Sequence, residues 1–398
     1  MRFPVFLVPT FRNSYAASAP SWMTRSILAA LLMFAGMNAA DAQSDLDRCK
    51  FVGEISKADE SIAACDRVIN DPKVNTQERA DALSSRCGWW WSKKDADRAL
   101  SDCNEALRAD SSNAAAYLNR GNAYLNKSDF DRAFADFNAA IRLDSKNAWA
   151  FAERGNLYRN KGDVEHALED LSESIRLDPA YALPHFARGD LYRTRGDVSR
   201  AMADMNEAIR LDPNYALAYF TRGRLSYMLG NNPAALEDFT RSIKLDAEDA
   251  GAYFDRGVSY YVVGGHAADA VADFKKAAEL NPREAYAAIW RELAERRSNA
   301  ASHLAEAAKQ LDMTAWPAPV IRHFLGELNL EQTYAAASDP DPRTKAAQTC
   351  EANFYSGELA LLKKNKKEAQ RLLKLAADTC PPSFVESTAA VAELIALK

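Results

Sequence analysis

Residues 148–181 read AWAFAERGNLYRNKGDVEHALEDLSESIRLDPAY, and this stretch decides the fold. Apolar, small and aromatic side chains follow one another with helical spacing at Phe151, Gly155 and Tyr158, and the same spacing returns from Ala167 onward. The Lys-Gly-Asp sequence between the two halves interrupts the pattern. The Leu-Asp-Pro sequence ends it, because proline disfavours a helical residue before it. The stretch therefore predicts a hairpin of two helices.

The same pattern returns every 34 residues. In register, the segments are 80–113, 114–147, 148–181, 182–215, 216–249 and 250–284, the last being one residue longer because Gly264-Gly265 extends its turn. A chain of 398 residues exceeds the roughly 250 to 300 residues that one compact core accommodates. The period therefore predicts an elongated array of stacked hairpins.

This 34-residue unit resembles the tetratricopeptide repeat over residues 80–284. The resemblance implies an all-α fold, a solenoid of antiparallel helix hairpins forming a right-handed superhelix with a helical C-terminal cap. Mid-helix glycines lie at Gly121, Gly155, Gly189, Gly223 and Gly257. Because such a glycine costs about 1 kcal/mol in a helix, we expect it to let the second helix approach closely.

An arginine precedes each of these small residues, and an aspartate recurs on each second helix. The arginines are Arg86, Arg120, Arg154, Arg188, Arg222 and Arg256, and the aspartates are Asp102, Asp136, Asp170, Asp204, Asp238 and Asp273. Pairing between helices explains this regularity better than a ligand-binding ladder, because a binding site tends to break the symmetry of a repeat. We expect each exposed pair to add little stability.

The six cysteines fall into pairs that the repeat geometry favours. Cys87 replaces the glycine of its repeat and Cys103 replaces the large residue that faces it. The favoured pairs are Cys49 with Cys65, Cys87 with Cys103, and Cys350 with Cys380, the last at the start of the first helix and the end of the second in a late hairpin. Disulfides persist in oxidising compartments. Free buried thiols are one alternative, and zinc is a weaker one because no pair has short ligand spacing.

The N-terminus predicts a secretory signal peptide over residues 1–42. From Met23, one arginine precedes an apolar run from Ile27 to Ala35, and small residues lead to Ala42. We expect the true start at Met23 and cleavage after Ala42. A membrane anchor is less favoured because the run is shorter than the roughly 20 residues that span a bilayer. The chain is therefore expected to be periplasmic or secreted, and soluble without a membrane anchor after cleavage.

Outside the repeats, residues 43–79 predict a degenerate hairpin, residues 285–343 a degenerate helical region beginning with two helices, and residues 344–398 a repeat-like hairpin with a capping helix. A WPAPV segment, an ANFYSGE hairpin and a closing FVE helix resemble the NlpI-like tetratricopeptide proteins of the Gram-negative envelope. This resemblance implies a periplasmic adaptor that binds proteins, including proteases and cell-wall hydrolases.

The sequence contains no motif that indicates an enzyme. It lacks HExxH, GxSxG, GxxxxGK and the dinucleotide fingerprint. The five histidines follow no ligand pattern, so no catalytic residue, cofactor or metal is expected. The net charge of −5 and the absence of a basic stripe exclude nucleic-acid binding.

The tetratricopeptide resemblance also implies that first helices line a binding groove. The residues expected to point into it are Asn122, Asn126, Asn156, Arg159, Asn160, Asp190, Arg193, Thr194, Arg224 and Tyr227. Asparagine amides can hydrogen-bond an extended peptide backbone of any sequence, although a merely solvated polar face is the alternative. Leu118, Ala152 and Phe186 stand where carboxylate-clamp relatives have lysine, which argues against capture of an acidic C-terminus.

The sequence therefore predicts a non-enzymatic scaffold that binds a protein or extended peptide. The rival hypothesis is an enzyme or a glycan-binding module in residues 284–349, where Trp316, His323 and Tyr334 lie. Self-association into a homodimer through the closing helix is compatible with either hypothesis. Of the three consecutive tryptophans, Trp90 is expected in the core and Trp91 at the groove or capping the packing.

Overall fold

The structure is a computed structural model that describes residues 45–50 and 55–398. The predicted signal peptide, with Met23 and Ala42, lies outside these residues. Throughout the described part, the regular secondary structure is helical and no strand occurs. The predicted all-α class of a helical solenoid is confirmed.

The chain forms two compact units, with the division after Leu191, inside the ninth helix. The described residues up to 191 form the N-terminal unit, which holds α1 (45–49), a 3₁₀ turn (Ile55–Lys57), α2 (Ala58–Asn70), α3 (Thr76–Ser92), α4 (Ala96–Ala109), α5 (Ala114–Asn126), α6 (Phe130–Leu143), α7 (Ala148–Lys161), α8 (Val164–Leu177) and most of α9 (Ala182–Thr194).

Residues 192–398 form the C-terminal unit. After the end of α9 it holds α10 (Val198–Leu211), α11 (Ala216–Met228), α12 (Asn232–Leu245), α13 (Ala250–Val263), α14 (Ala267–Leu280), α15 (Ala285–Arg297), α16 (Leu304–Ala307), α17 (Ala318–Leu325), α18 (Leu330–Ala336), α19 (Pro342–Leu362), α20 (Lys366–Thr379) and α21 (Val385–Ala396).

The tight turns follow from the local sequence. Gly162 ends α7 with a φ of 78°, a left-handed conformation that glycine adopts without strain. Asp163 then caps α8, because its side chain accepts a hydrogen bond of 3.3 Å from the backbone N–H of His166. The two helices of such a hairpin contact each other along their length.

The mid-helix glycines allow the close approach that the sequence predicts. A Cβ atom added at Gly223 would lie 2.8 Å from Cε1 of Phe239 on the facing helix. At Gly357, in the late hairpin α19–α20, an added Cβ would lie 2.9 Å from Cγ of Leu373. Both contacts are shorter than real side chains tolerate, so the glycines set the spacing of the helices.

The repeated arginines each hold three helices together. Arg120 donates two hydrogen bonds of 2.8 Å to the Asp136 carboxylate in its own hairpin and a third, also of 2.8 Å, to Asn104 on the preceding second helix. The same double contact to aspartate is made by Arg86, Arg154, Arg222 and Arg256. The predicted pairing between helices is confirmed for these residues. The contact to the preceding hairpin was not predicted.

The three cysteine pairs that the repeat geometry favours are at disulfide distance. Their Cα–Cα separations are 4.7 Å for Cys49–Cys65, 5.5 Å for Cys87–Cys103 and 5.0 Å for Cys350–Cys380. Cys87 and Cys103 take the positions of the glycine and its large partner, so a covalent bond replaces the close packing of that hairpin. Cys350 lies within α19 and not at its start, because this helix already begins at Pro342.

Two further details differ from the sequence prediction. The second helix expected after α15 is confined to Leu304–Ala307. The loop before it is fixed to α15, because Ser302 and His303 form hydrogen bonds with the buried carboxylates of Glu292 and Glu295. Of the three consecutive tryptophans, Trp89 and not Trp90 is fully buried, and its indole N–H donates to the carbonyl of Cys49 at 2.9 Å.

Candidate protein-binding surface

The candidate surface is the A-helix face, defined as the surface formed by the first helices of successive hairpins. In the N-terminal unit these helices are α3, α5, α7 and α9. Helix α5 contacts α3 directly, and Asn119 of α5 donates to the carbonyl of Ser84 on α3 at 2.9 Å. Neighbouring first helices are therefore held side by side by polar side chains.

Asn122 lies at the centre of this face in α5 and is fully buried, with 0% of its surface exposed. Neither its amide nitrogen nor its amide oxygen has a hydrogen-bond partner in the described part of the chain. A buried amide without partners costs about 1–3 kcal/mol relative to a paired one. Such a group calls for an explanation in the function of the protein.

Two tryptophans from the flanking first helices meet beside α5. Trp149 of α7 packs in the same apolar cluster as Leu118, one turn before Asn122, and Trp91 of α3 packs in the same cluster as Ala123, the next residue. The two rings meet with their centroids 5.9 Å apart and their planes at 59°. The pair therefore joins α3 and α7, the first helices on either side of α5. Trp91 thus reaches the face, one of the two roles that the sequence leaves open for it.

The other predicted residues of the N-terminal unit are more accessible. Asn126 and Asn160 are exposed, although the Asn126 amide also donates to the carbonyl of Trp91 at 3.3 Å. Asn156 and Arg159 are half-buried, and the Asn156 Oδ1 and Arg159 Nε atoms have no partner among the described residues. Another nitrogen of Arg159 lies 3.1 Å from the carboxylate of half-buried Asp190 on α9.

In the C-terminal unit the A-helix face is covered by the end of the chain. Arg224 lies 3.3 Å from Asp255, and Tyr227 is buried with its hydroxyl donating to the carbonyl of Val385 at 3.0 Å. These three side chains, with half-buried Arg193, line a small cleft that Phe384 and Val385 close. Thr194, at the end of α9, is exposed.

Sequence reasoning missed two participants in these surfaces. Trp149 could have been found, because it precedes Ala150 at the start of a first helix and is aromatic where its repeat neighbours Ala115 and Leu183 are not. Helix α21 could not have been placed on the face from the sequence, because its contact with Tyr227 spans 158 residues and occurs once.

The three residues of the rival hypothesis do not form one site. The Trp316 indole donates to Glu351 at 2.6 Å, the Tyr334 hydroxyl bonds Asn353, and His323 Nδ1 lies 2.9 Å from the carbonyl of Leu328. Each side chain has its own partner within the fold. The enzyme or glycan-binding hypothesis therefore gains no support.

Two kinds of feature are absent from the described residues as a whole. No group of three or more histidine, cysteine, aspartate or glutamate side chains in this part could hold a metal ion. No helix in the same residues is both long and apolar enough to cross a membrane.

Three tetratricopeptide-repeat family models match the chain. One matches residues 155–193 and 189–230, a second matches residues 114–147, and a third matches residues 220–285. The matched segments include most of the residues on the candidate surface. No curated protein sequence matches the chain significantly.

Several solved structures are similar to this chain at low sequence identity, and one of them, with a TM-score above 0.5, shares the fold. The Cut9–Hcn1 hetero-tetramer of the APC/C is 15% identical, with 64% of this chain and 55% of that chain covered and a TM-score of 0.51. PilF of Pseudomonas aeruginosa is 17% identical, with 53% and 96% covered and a TM-score of 0.49. YrrB, described as a TPR protein with an unusual peptide-binding site, is 23% identical, with 46% and 95% covered and a TM-score of 0.39.

Proposed function

We propose, because this chain is a tetratricopeptide-repeat protein, that it is a non-enzymatic scaffold whose N-terminal A-helix face binds an extended segment of another protein. Tetratricopeptide-repeat proteins bind peptides or proteins. The accessible residues of the proposed surface are Asn126, Asn156, Arg159, Asn160 and Asp190.

The observation that carries this proposal is the unpaired amide of buried Asn122 on α5, which lies between the helices that carry the contacting pair Trp91 and Trp149. An extended peptide presents one N–H and one C=O per residue, which match the oxygen and the nitrogen of an asparagine amide. When the tryptophan rings part, a peptide between them satisfies both atoms and covers apolar ring surface. The Asn156 oxygen and the Arg159 Nε atom offer further contacts beside it.

The test compares Asn122→Ala with Asn119→Ala in the full-length protein. Both asparagines are buried in α5, but only Asn119 has a hydrogen-bond partner, the carbonyl of Ser84. We expect Asn119→Ala to lower the free energy of unfolding by about 1–3 kcal/mol relative to Asn122→Ala. Extended peptides selected from a displayed library against the wild type should bind Asn122→Ala at least tenfold more weakly, measured by tryptophan fluorescence.

A structural role for Asn122 predicts the opposite pattern. If Asn122→Ala destabilises the protein as much as Asn119→Ala does and leaves peptide binding unchanged, the asparagine is part of the packing and the proposed surface is elsewhere.

We also propose that the protein is exported and works in the periplasm or outside the cell. The predicted signal peptide and the three cysteine pairs support this independently, because disulfides persist in oxidising compartments. Mass spectrometry of the native protein, digested without reduction, tests it. Cleavage after Ala42 with three intact disulfides is the expected result, and a retained N-terminus with free thiols is the contrary one.

The NlpI-like resemblance supports envelope proteases or cell-wall hydrolases as the proteins that the scaffold brings together. Exposed Val391 and Ile395 on the closing helix support a homodimer through residues 384–397. Crosslinking in intact cells identifies the partners, and analytical ultracentrifugation of Val391→Ser with Ile395→Ser measures the contribution of the helix to self-association.

A further inference from the structure

Helix α21 buries two glutamates together with apolar side chains, because Ala389 and Ala390 belong to the core cluster and Val385, Leu394 and Leu397 pack against it. Its buried residues are Glu386, Ala389, Ala390 and Glu393, whereas Val391 is 46% and Ile395 is 64% exposed. Helices of globular proteins normally keep their charged residues on the solvent side. The burial of Glu386 and Glu393 therefore requires that the surface beneath α21 accept two carboxyl groups.

The acceptor surface is the A-helix face of the C-terminal unit. The Tyr227 hydroxyl of α11 donates to the carbonyl of Val385, and Arg297 of α15 donates to Glu393 at 2.7 Å. The Tyr355 hydroxyl of α19 donates to Glu386 at 2.6 Å. Helix α21 also contacts α13 and α20.

We propose that α21 is a resident ligand of this face, that it docks only while carboxyl groups at the interface hold protons, and that its release uncovers a second binding surface of the scaffold. The inference rests on the proposed function in one respect: it takes the A-helix face as a surface that binds peptides.

The docked position places acidic groups against one another. Glu386 of α21 is close enough to Glu351 of α19 and to Asp255 of α13 for their charges to repel. Glu393 repels Glu358 in the same way, although Arg297 donates to both, at 2.7 Å and 2.9 Å. Carboxyl groups that share a buried site cannot all ionise, so such a site retains protons.

Burial and neighbouring charges raise the pKa of Glu351, Glu358, Asp255 and Glu386. Burial, then the charge of Glu386, raises the pKa of Glu351 to about 8. Burial, then the charge of Glu393, raises the pKa of Glu358 to about 7. Burial raises the pKa of Asp255 to about 6 and also raises that of Glu386.

The direction of the pH dependence follows from these shifts. In the docked state the acids hold protons that they lose when α21 leaves and water reaches them. Their contribution to docking is therefore complete below the ordinary carboxylate pKa of about 4.5 and is lost as the pH rises through about 6 to 8.

The charged and titratable side chains close to α21 include few cations, and each of these is already paired with a carboxylate. Helix α11 contributes Arg224 and Tyr227, α13 contributes Asp255 and Tyr261, α15 contributes Tyr286 and Arg297, and α19 contributes Glu351, Tyr355 and Glu358. On α20, Arg371 pairs with Glu368 and Lys374 with Asp378. Arg224 pairs with Asp255, so Arg297 is the cation shared by the Glu358 and Glu393 pair.

Amide hydrogen exchange of the full-length protein tests the proposal. Protection of the amides in Val385–Ala396 is measured from pH 5.5 to 8.5 and corrected for intrinsic exchange rates, with α12 as the internal reference. We expect the protection of α21 to fall with rising pH, by about tenfold per pH unit for each proton released, while α12 stays constant. Protection of α21 that does not change with pH overturns the proposal.

Glutamine variants identify the groups. Glutamine has the shape of a protonated glutamate, so Glu351→Gln with Glu386→Gln should hold α21 docked and flatten the pH profile. Glu331→Gln is the matched control, because Glu331 is exposed on α18, and it should keep the wild-type profile. If the double variant fails to fold, Glu386→Gln alone should reduce the slope; a wild-type slope in that variant contradicts the proposed groups.

The exchange experiment needs no partner. A protein whose N-terminal face binds no peptide would still show release of α21 with rising pH, and a pH-independent α21 would leave peptide binding at Asn122 untouched. The two proposals therefore fail separately.

Discussion

At the scale of single residues, an absent side chain sets the distance between the two helices of a hairpin. Gly223 faces the ring of Phe239, and that ring occupies the space that a Cβ atom at this position would need. The hairpin α3–α4 has cysteines at the corresponding positions and bonds them covalently. The same pair of positions thus accepts two chemical solutions, close packing or a disulfide, because in both the two backbones lie near each other.

We expect Gly223→Ala to destabilise the protein by about 1–3 kcal/mol, because the added methyl group overlaps a ring buried in the core. Gly251→Ala is the control. That glycine is also helical, but its nearest neighbour is the Asp249 side chain at 3.1 Å and the ring of Phe220 is 3.6 Å away. There the gain in helix propensity, about 1 kcal/mol, should offset the contact. Urea unfolding followed by circular dichroism measures both, and equal losses would show that the glycines do not set the spacing.

At the scale of helices, the repeated arginines join each hairpin to the one before it; these clamp arginines are Arg86, Arg120, Arg154, Arg222 and Arg256. Arg120 reaches Asp136 in its own hairpin and Asn104 in the preceding one. The hydrogen bonds to Asp136 raise the pKa of Arg120 above its ordinary value, so the side chain is charged at every pH at which the protein folds. Each clamp therefore fixes a junction between two hairpins.

We expect Arg120→Ala to lower the free energy of unfolding by about 2–4 kcal/mol. Removing the guanidinium leaves the buried Asp136 carboxylate without its partner, and breaking a fully buried pair costs roughly 3–5 kcal/mol, reduced here by partial exposure of the arginine. Arg132→Ala is the comparison, because Arg132 pairs with Asp129 at the surface and should have little effect. Similar losses in the two variants would count against the clamp.

Whether an element could be predicted depended on how far away its partners lie. Three kinds of contact join residues 16 or 17 apart at positions fixed by the period: the Arg–Asp pairs, the close glycines and the disulfide Cys87–Cys103. These contacts could therefore be predicted from the sequence. The ring contact between Trp91 and Trp149 joins two helices that are not consecutive in the chain, so the period alone does not predict it. Trp89 enters the core because the carbonyl of Cys49 accepts its N–H, a contact with no repeat equivalent.

At the scale of the whole molecule, the three disulfides lie outside the regular run of repeats or at its first hairpin. Cys49–Cys65 and Cys87–Cys103 stabilise the first hairpins of the N-terminal unit, and Cys350–Cys380 ties α19 to the end of α20, just before α21. Each of the first two closes a loop of 16 residues, which should contribute about 3 kcal/mol.

We expect a thiol reductant to lower the melting temperature of the wild type. In Cys87→Gly with Cys103→Phe, which installs the glycine and ring of the other repeats, the hairpin should keep more of its stability than in Cys87→Ser with Cys103→Ser. Thermal unfolding with and without reductant measures this. Equal melting temperatures for the two double variants would mean that the positions are not equivalent to the Gly–Phe pair.

The clamp arginines also give the chain an order of assembly. Each one bonds a partner synthesised before it and a partner synthesised soon after it, none more than 20 residues away. A hairpin emerging from the ribosome therefore finds its earlier neighbour already formed and needs nothing from the distant end of the chain. Because these contacts join residues close in sequence, folding is fast and little apolar surface stays exposed while the chain is being made. Helix α21 is the exception, because its contact with Tyr227 joins residues 158 apart.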